Sequence, residues 1–340
     1  MKDSFYIFRS GALRKKEGSL YYAYKSEDAP PEGELFSKKA GVHIPVTRVR
    51  DLFIFGQTEF NTQALGLLSK HSINCHFFNW YGMYLGSYMA RDHLLAGETV
   101  VAQVQHYLDA QKRLTIAREI LNAASYNMLR TLARNAKKGS VGEHYNAGKE
   151  LRQKLGTAAD ITSLMGYEGA LRKRYYRAFD DMLEGYKMNG RSMNPPENEV
   201  NAMISYGNAL LYARCLSSIH QTQLNPTVGF LHEPALRRVS LALDIAEIFK
   251  PIIVDRLVLW LVNHKMVNET HFTQQPDLCY LSEAGRKIFT RAFDERLKMT
   301  IKTENGETPR SYRQLITDEC HKLAAHIRGE TPFEGFTIRW

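Results

Sequence analysis

The sequence predicts an α+β fold, with a small β-rich N-terminal domain over residues 1–95 and a larger all-α domain over residues 96–340. Short runs in the first part alternate apolar and polar residues, which is the period of a half-buried strand. From Val100 onward the apolar spacing becomes helical, with Val101, Val104 and Leu108 at i, i+3 and i+7. A chain of 340 residues is long enough for two cores, so the change of period is read as a domain boundary.

In the first domain Tyr6 and Phe8 alternate around Ile7, Lys15-Lys16-Glu17-Gly18 supplies a turn, and Leu20-Tyr21-Tyr22-Ala23-Tyr24 is a second β-favouring run, so a hairpin is expected. After Ile44-Pro45-Val46, the strand Leu52-Phe53-Ile54-Phe55 stops at Gly56. A short helix is expected through Ala64, Leu65, Leu67 and Leu68, then a strand from Ile73 to Phe78. Asn79-Trp80-Tyr81-Gly82 reads as a turn into a last strand with Tyr84, Gly86 and Tyr88. In the second domain long helical patterns run through Met128-Leu129 with few breakers. Lys137-Lys138-Gly139-Ser140, Asn189-Gly190, Asn194-Pro195-Pro196 and Gln274-Gln275-Pro276-Asp277 read as the loops that divide them. The tail Thr331 to Trp340 carries large apolar residues suited to docking on a surface.

Composition narrows the function. Hydrophobic residues make up 44% and charged residues 24%, an ordinary globular balance, and no apolar run is long enough to span a bilayer. Met1-Lys2-Asp3-Ser4 passes directly into a strand pattern without the apolar core of a secretory signal, so the expected location is the cytoplasm. Cys75, Cys215, Cys279 and Cys320 lie too far apart for a zinc ribbon or a disulfide scaffold and read as reduced, buried thiols. A net charge of +9 makes a polyanion the natural large partner.

Three stretches could carry chemistry. In Gly166-Tyr167-Glu168-Gly169-Ala170-Leu171-Arg172-Lys173-Arg174-Tyr175, a helix would place Glu168, Arg172 and Tyr175 on one side. This is either a metal-binding carboxylate flanked by phosphate-binding groups or a plain intrahelical ion pair on a solvated face. The second stretch, Asn225 to Glu233, is a turn-rich apolar approach ending on His232, either a ligand or a structural histidine. The third places Asp244 and Glu247 three residues apart in an apolar helix. Burying such carboxylates costs several kcal/mol unless a cation compensates, and a metal or Arg237 and Arg238 would serve. Two carboxylates and an imidazole suit Mg²⁺ or Mn²⁺ better than structural zinc, and the matching chemistry is phosphoryl transfer. Walker, dinucleotide-binding, HExxH and GxSxG motifs are absent from the sequence.

In order, these stretches resemble the CRISPR-associated spacer-acquisition integrase, the larger of the two proteins common to CRISPR adaptation. The resemblance spans nearly the whole chain. It is carried by Phe53-Ile54-Phe55-Gly56, His76-Phe77-Phe78-Asn79-Trp80-Tyr81-Gly82, Pro195-Pro196 with Val200-Asn201, and Gly229-Phe230-Leu231-His232. It implies a β-rich domain for dimerisation and partner contact, followed by a helical catalytic domain that binds metal and DNA. Position by position, it implies Glu168, His232 and Glu247 as catalytic, metal-binding residues. Many relatives carry aspartate where this chain has Glu247, which leaves open whether Asp244 shares the metal or supports it. Asn201 matches a supporting position, and Tyr206 reads as core.

The implied activity is metal-dependent joining of the 3′-hydroxyl ends of short DNA fragments to CRISPR repeat DNA by transesterification, with associated endonuclease activity. The implied cofactor is Mg²⁺ or Mn²⁺. The implied partners are short duplex DNA, repeat DNA, a second copy in a homodimer, and a small ferredoxin-like protein in a heterohexamer, in the cytoplasm of a prokaryote with no membrane contact. Arg172, Lys173, Arg174, Tyr175, Arg177, Arg237, Arg238 and Lys250 lie near the ligands and are the candidate DNA contacts. Two other readings remain: a nuclease that uses water at the same residues, and a DNA-binding architectural protein with a vestigial site.

Overall fold

The computed structural model describes residues 2–25, 36–90, 94, 96–193, 195–236, 238–276, 278–302 and 308–339. The chain divides into two compact units, Met1–His93 and Leu94–Trp340.

Among the described residues, eight strands and one helix build the first unit: β1 (Asp3–Ile7), β2 (Gly11–Lys16), β3 (Ser19–Lys25), β4 (Phe36–Ile44), β5 (Val49–Ile54), β6 (Thr58–Phe60), α1 (Thr62–Lys70), β7 (Asn74–Phe78) and β8 (Tyr84–Tyr88). They form two four-stranded sheets, ordered β1-β5-β7-β8 and β4-β3-β2-β6. The expected hairpin is β2–β3, pairing Lys16 with Ser19 across Glu17 and Gly18. Both turn residues have positive φ, 50° and 76°, the backbone of a two-residue turn that matches strand twist. The Tyr6–Phe8 run does not join this hairpin: β1 pairs in parallel with β5 in the other sheet. Inward residues of both sheets, with Ala64, Leu67 and Leu68 of α1, bury one apolar cluster that includes Leu13, Leu20, Leu52 and Ile54. Each such side chain contributes about 1.5–3 kcal/mol of transfer free energy.

Helices make up most of the second unit: α2 (Gly97–Leu108), α3 (Ala110–Ala133), α4 (Val141–Leu155), α5 (Ile161–Arg177), α6 (Phe179–Met182), α7 (Glu199–Ile219), α8 (Ser240–Lys250), α9 (Arg256–Asn263), α10 (Glu283–Lys298) and α11 (Tyr312–Ile327). Between α8 and α9, Pro251–Asp255 is a π-helical turn. The all-α expectation needs one refinement, because two short ladders interrupt the helices. These are β9 (Phe272–Gln275) with β10 (Leu278–Leu281), and β11 (Thr300–Ile301) with β12 (Arg310–Ser311). Strands this short leave too few alternations to register in a pattern scan. Gln274 and Gln275, expected in a loop, end β9; Asp277 and Asn194 lie outside the described residues.

The second unit is organised around α3, which packs against α4, α5, α8 and the π turn. Its start is capped by Asp109, whose carboxylate accepts from the N–H groups of Gln111 and Lys112. The apolar stripe of α2 faces outward instead: Val101 is 58% and Leu108 74% exposed, while Thr99 and Gln103 are buried. Gln103 turns inward because its amide is a better partner for a loop than any apolar side chain. Its Nε2 donates to the carbonyls of Asn225 (2.9 Å) and Val228 (2.7 Å), and its Oε1 accepts from Asn225 N (2.8 Å). This pins the segment that leads to His232.

Close helix packing behind the site depends on Gly207 of α7. A Cβ there would lie 2.6 Å from Val254 Cγ1 in the π turn and 2.8 Å from Phe289 Cζ in α10, both fully buried. Gly207→Ala is therefore expected to destabilise the fold by about 1–3 kcal/mol in urea unfolding. An unchanged midpoint would show that α7 and the π turn separate freely.

Candidate active site

Asp244 and Glu247 occupy one face of α8, and both are buried. Asp244 is fully enclosed, with an acceptor role at every side. Its Oδ2 accepts from the N–H groups of Phe230 (2.6 Å) and Leu231 (3.0 Å), and its Oδ1 accepts from His232 N (2.9 Å) and His232 Nδ1 (2.7 Å). These four charge-assisted bonds replace the lost hydration and fold the Gly229–His232 loop onto the helix. Gly229 is required there, since a Cβ would meet Asp244 Oδ2 and Ser240 at 2.9 Å.

The same contact fixes the imidazole. A carboxylate only accepts, so Nδ1 carries a proton, and in the neutral ring the lone pair is on Nε2. Nε2 lies 3.9 Å from Glu247 Oε1. On the far side of the loop, Arg113 Nε donates to Phe230 O (2.8 Å), and Arg113 and Tyr107 both hold the Glu233 carboxylate at 2.7 Å.

Glu168 comes from α5, whose start is set by the Asp160/Ser163 capping box. The intrahelical pair of Glu168 with Arg172 is present, and the guanidinium reaches further to bond Glu247 as well. Lys250 Nζ adds a contact at 2.5 Å to Glu247 Oε1. Burial would push the Glu247 carboxyl up, but Arg172, Lys250 and His232 outweigh it and hold it at about 2. Arg172 is likewise held charged: burial disfavours the cation, and Glu247 and Glu168 more than offset this.

Glu168, His232 and Glu247 thus converge from three separate segments. Among the described residues, no three His, Cys, Asp or Glu side chains are set as a ready-made metal cage. The reason is visible: Arg172 and Lys250 occupy the glutamate oxygens. The donor set fits a hard divalent ion in number, charge and imidazole tautomer, provided Arg172 yields its place between the two carboxylates.

The other expected residues sort by burial. Lys173, Arg174, Arg177 and Arg238 are exposed, and Arg237 lies outside the described residues. Tyr175 is not available to DNA: it is 1% exposed and packs against Tyr176 and Phe179. At i+7 it shares the face of Glu168 two turns further along α5, where that face is buried in the core. Tyr206 is core, with its hydroxyl 2.8 Å from Thr290 Oγ1. Asn201 ties the 188–192 segment together, donating to Gly190 O (2.9 Å) and accepting from Arg191 Nη1 (2.9 Å).

Sequence reasoning missed Arg191 and Asp255. Asp255 closes the π turn fully buried, and neither carboxyl oxygen has a hydrogen-bond partner among the described residues. The Tyr175 hydroxyl is near enough to interact electrostatically, yet it too closes no well-aligned hydrogen bond. Burial pushes Asp255 up to about 7, although Arg172, Arg191 and Lys250 pull the other way. All four cysteines are free and buried, as expected of reduced thiols.

Residues 5–295 match the family model described as CRISPR associated protein Cas1. The chain belongs to the Cas1 family. It is 37% identical over 340 residues, covering 100% of this chain and 99% of the relative, to a CRISPR-associated protein Cas1 of Methanobrevibacter ruminantium. A CRISPR-associated endonuclease Cas1 of Thermodesulfovibrio yellowstonii is 39% identical, with 99% of each chain covered. Among solved structures, a CAS1 protein from Thermotoga maritima superposes with a TM-score of 0.84 at 35% identity, over 98% of this chain and 100% of that one. A casposase bound to integration product shares the fold, with a TM-score of 0.82 at 21% identity, over 99% of this chain and 93% of that one. Among the described residues no helix is long and apolar enough to cross a membrane.

The buried acids set a pH dependence. Asp255 at about 7 in the folded chain, against 3.8 ordinarily, holds a proton that the unfolded chain has released between those values. Stability is thus expected to fall as pH rises through that window, and Asp255→Asn removes the slope, worth about 4 kcal/mol in urea unfolding without metal. Glu247 acts oppositely, since its stabilisation is lost as pH drops from 4.5 towards 2. An Asp255→Asn profile parallel to wild type would refute the assignment.

Proposed function

We propose that the chain joins the 3′-hydroxyl ends of short DNA fragments to CRISPR repeat DNA by metal-dependent transesterification. The observation that carries this is the convergence of Glu168 and Glu247 on Arg172, with His232 Nε2 presented 3.9 Å from Glu247 by the Asp244 bond. Glu168, His232 and Glu247 would hold Mg²⁺ or Mn²⁺, with Asp244 orienting His232 instead of binding the ion. When bound, the ion supplies Lewis-acid stabilisation of the charge that develops on phosphate oxygens.

In the reaction a fragment 3′-hydroxyl loses its proton and its oxygen bonds to a repeat phosphorus. The P–O bond to the neighbouring repeat nucleotide breaks, and the leaving 3′-oxygen takes up a proton. One phosphodiester replaces another, so no ATP is consumed. Arg172, released from the glutamates, and Lys250 are placed to neutralise phosphate charge, and exposed Lys173, Arg174, Arg177 and Arg238 extend a basic surface beside the site. Hydrolysis at the same residues, with water in place of the hydroxyl, is the second reading, and relatives named endonucleases favour it.

For assembly, the first unit serves dimerisation and partner contact. Trp80 (66%), Tyr81 (49%), Met83 (49%) and Leu85 (66%) are exposed around the β7–β8 hairpin, an apolar cluster suited to a protein interface. A solved Cas6-RT-Cas1–Cas2 complex shares the fold at a TM-score of 0.82 and 19% identity. We take a homodimer that joins a small ferredoxin-like partner in a heterohexamer as the working state.

Glu168→Ala, His232→Ala and Glu247→Ala are each expected to lower strand joining by at least about a hundredfold, with DNA affinity within a few fold of wild type. Labelled duplex with free 3′-hydroxyls, a supercoiled repeat plasmid, the small partner and Mn²⁺ make the assay. Label joined to plasmid supports integration, whereas shorter fragments alone support hydrolysis. Wild-type activity in all three variants would sink the site assignment.

A further inference from the structure

The helix that carries Asp244 and Glu247 ends on a weak point. Pro251 has no N–H to donate, and the hydrogen-bond spacing widens into a π turn over Pro251–Asp255, so side chains must serve carbonyls there. Two side-chain donors do so, one half-buried and one fully buried. Arg296 gives Nε (3.1 Å) and Nη2 (2.6 Å) to Ile252 O, and Asn127 gives Nδ2 to Ile248 O at 2.9 Å.

Asn127 does not act alone. It is fully buried on α3, and the same amide holds the C-terminal tail: Nδ2 donates to Phe336 O (3.1 Å), and Oδ1 accepts from Ile338 N (2.9 Å). This pair of bonds imitates a bridge between neighbouring strands. The tail ring of Phe336 stacks on Phe249, two residues after Glu247, with centroids 5.9 Å apart and planes 8° from parallel.

Further contacts seat the segment. Phe336 N donates to Glu319 Oε2 (3.0 Å), Lys322 Nζ donates to Glu334 O (2.6 Å), and Ile338 is fully buried. Gly335 leaves no room for a side chain, since a Cβ would lie 2.6 Å from Ala123 Cβ and 2.8 Å from Glu119 O. A tail held this tightly against α3 and α8 is a built part of the fold.

We infer that residues 330–339 position the active site: by occupying Asn127 and stacking on Phe249, the tail fixes the junction of α8 with the π turn and so the reach of Glu247. Asn127 and Phe336 are positioning residues, acting on the metal through Glu247. The inference rests on the reading of Glu168, His232 and Glu247 as metal ligands. By linkage the coupling is reciprocal, so a divalent ion at Glu247 tightens the tail.

The test uses the full chain and Mn²⁺, with free ion followed by electron paramagnetic resonance. Phe336→Ala and Asn127→Asp should each weaken Mn²⁺ binding about tenfold, as outer-shell supports of a ligand do. Phe336→Leu should recover most of the affinity. In strand joining the loss should fall on kcat, with KM for DNA unchanged. In wild type, saturating Mn²⁺ should slow hydrogen exchange across residues 330–339, a readout that needs no variant to fold. Wild-type Mn²⁺ affinity in Phe336→Ala and Asn127→Asp, or tail exchange indifferent to Mn²⁺, would overturn the inference. If wild type binds no Mn²⁺, or Glu168→Gln binds it equally well, the ligand reading fails and takes the inference with it.

Discussion

The site depends on one buried carboxylate. Asp244 accepts three backbone N–H groups and one imidazole N–H within the first turns of α8, and every oxygen lone pair it offers in that direction is used. Without it the backbone donors of Phe230, Leu231 and His232 would lack partners away from water, and only the Ser240 hydrogen bonds would tie this part of the loop to the helix. The contact also decides which imidazole nitrogen remains basic. The imidazole tautomer and the seating of the last loop residues therefore follow from one side chain at one helical position, while Gln103 and Arg113 hold the loop from elsewhere.

Glu247, one turn further on, has the opposite arrangement. Its oxygens are taken by side-chain cations, Arg172 and Lys250, instead of backbone. Charges of this kind can be exchanged for another cation without unfolding the helix, whereas the Asp244 network cannot be replaced piecemeal. The chain thus separates an acid held mainly by backbone, Asp244, from two acids held by side-chain cations, Glu168 and Glu247. The longer glutamate arm at 247 suits this role, since it reaches Arg172 on α5 as well as Lys250 on its own helix.

Much of this was legible in the sequence. The strand and helix periods, the Glu17-Gly18 turn, and the pairing of Glu168 with Arg172 follow from local rules that the fold does not override. The resemblance supplied the grouping of Glu168, His232 and Glu247, which spacing alone left open. What stayed hidden depends on contacts far apart along the chain. Gln103 and Arg113 grip a loop more than a hundred residues away, and Asn127 bridges Ile248 to Phe336. The outward-facing stripe of Val101 and Leu108 shows the limit of periodicity: it marks a helix correctly but cannot say which face is buried when a polar residue has stronger partners inside. Tyr175 failed for a related reason, since sharing a helix face with Glu168 did not leave it at the surface.

The central claim is that Glu168, His232 and Glu247 bind one divalent ion once Arg172 gives way. Crystals grown with Mn²⁺ and measured at the manganese absorption edge test this most directly. The account predicts one anomalous peak bonded to His232 Nε2 and to a carboxylate oxygen of each glutamate, with the Arg172 guanidinium displaced. A peak elsewhere, or Arg172 still bridging Glu168 and Glu247 at saturating Mn²⁺, would contradict it.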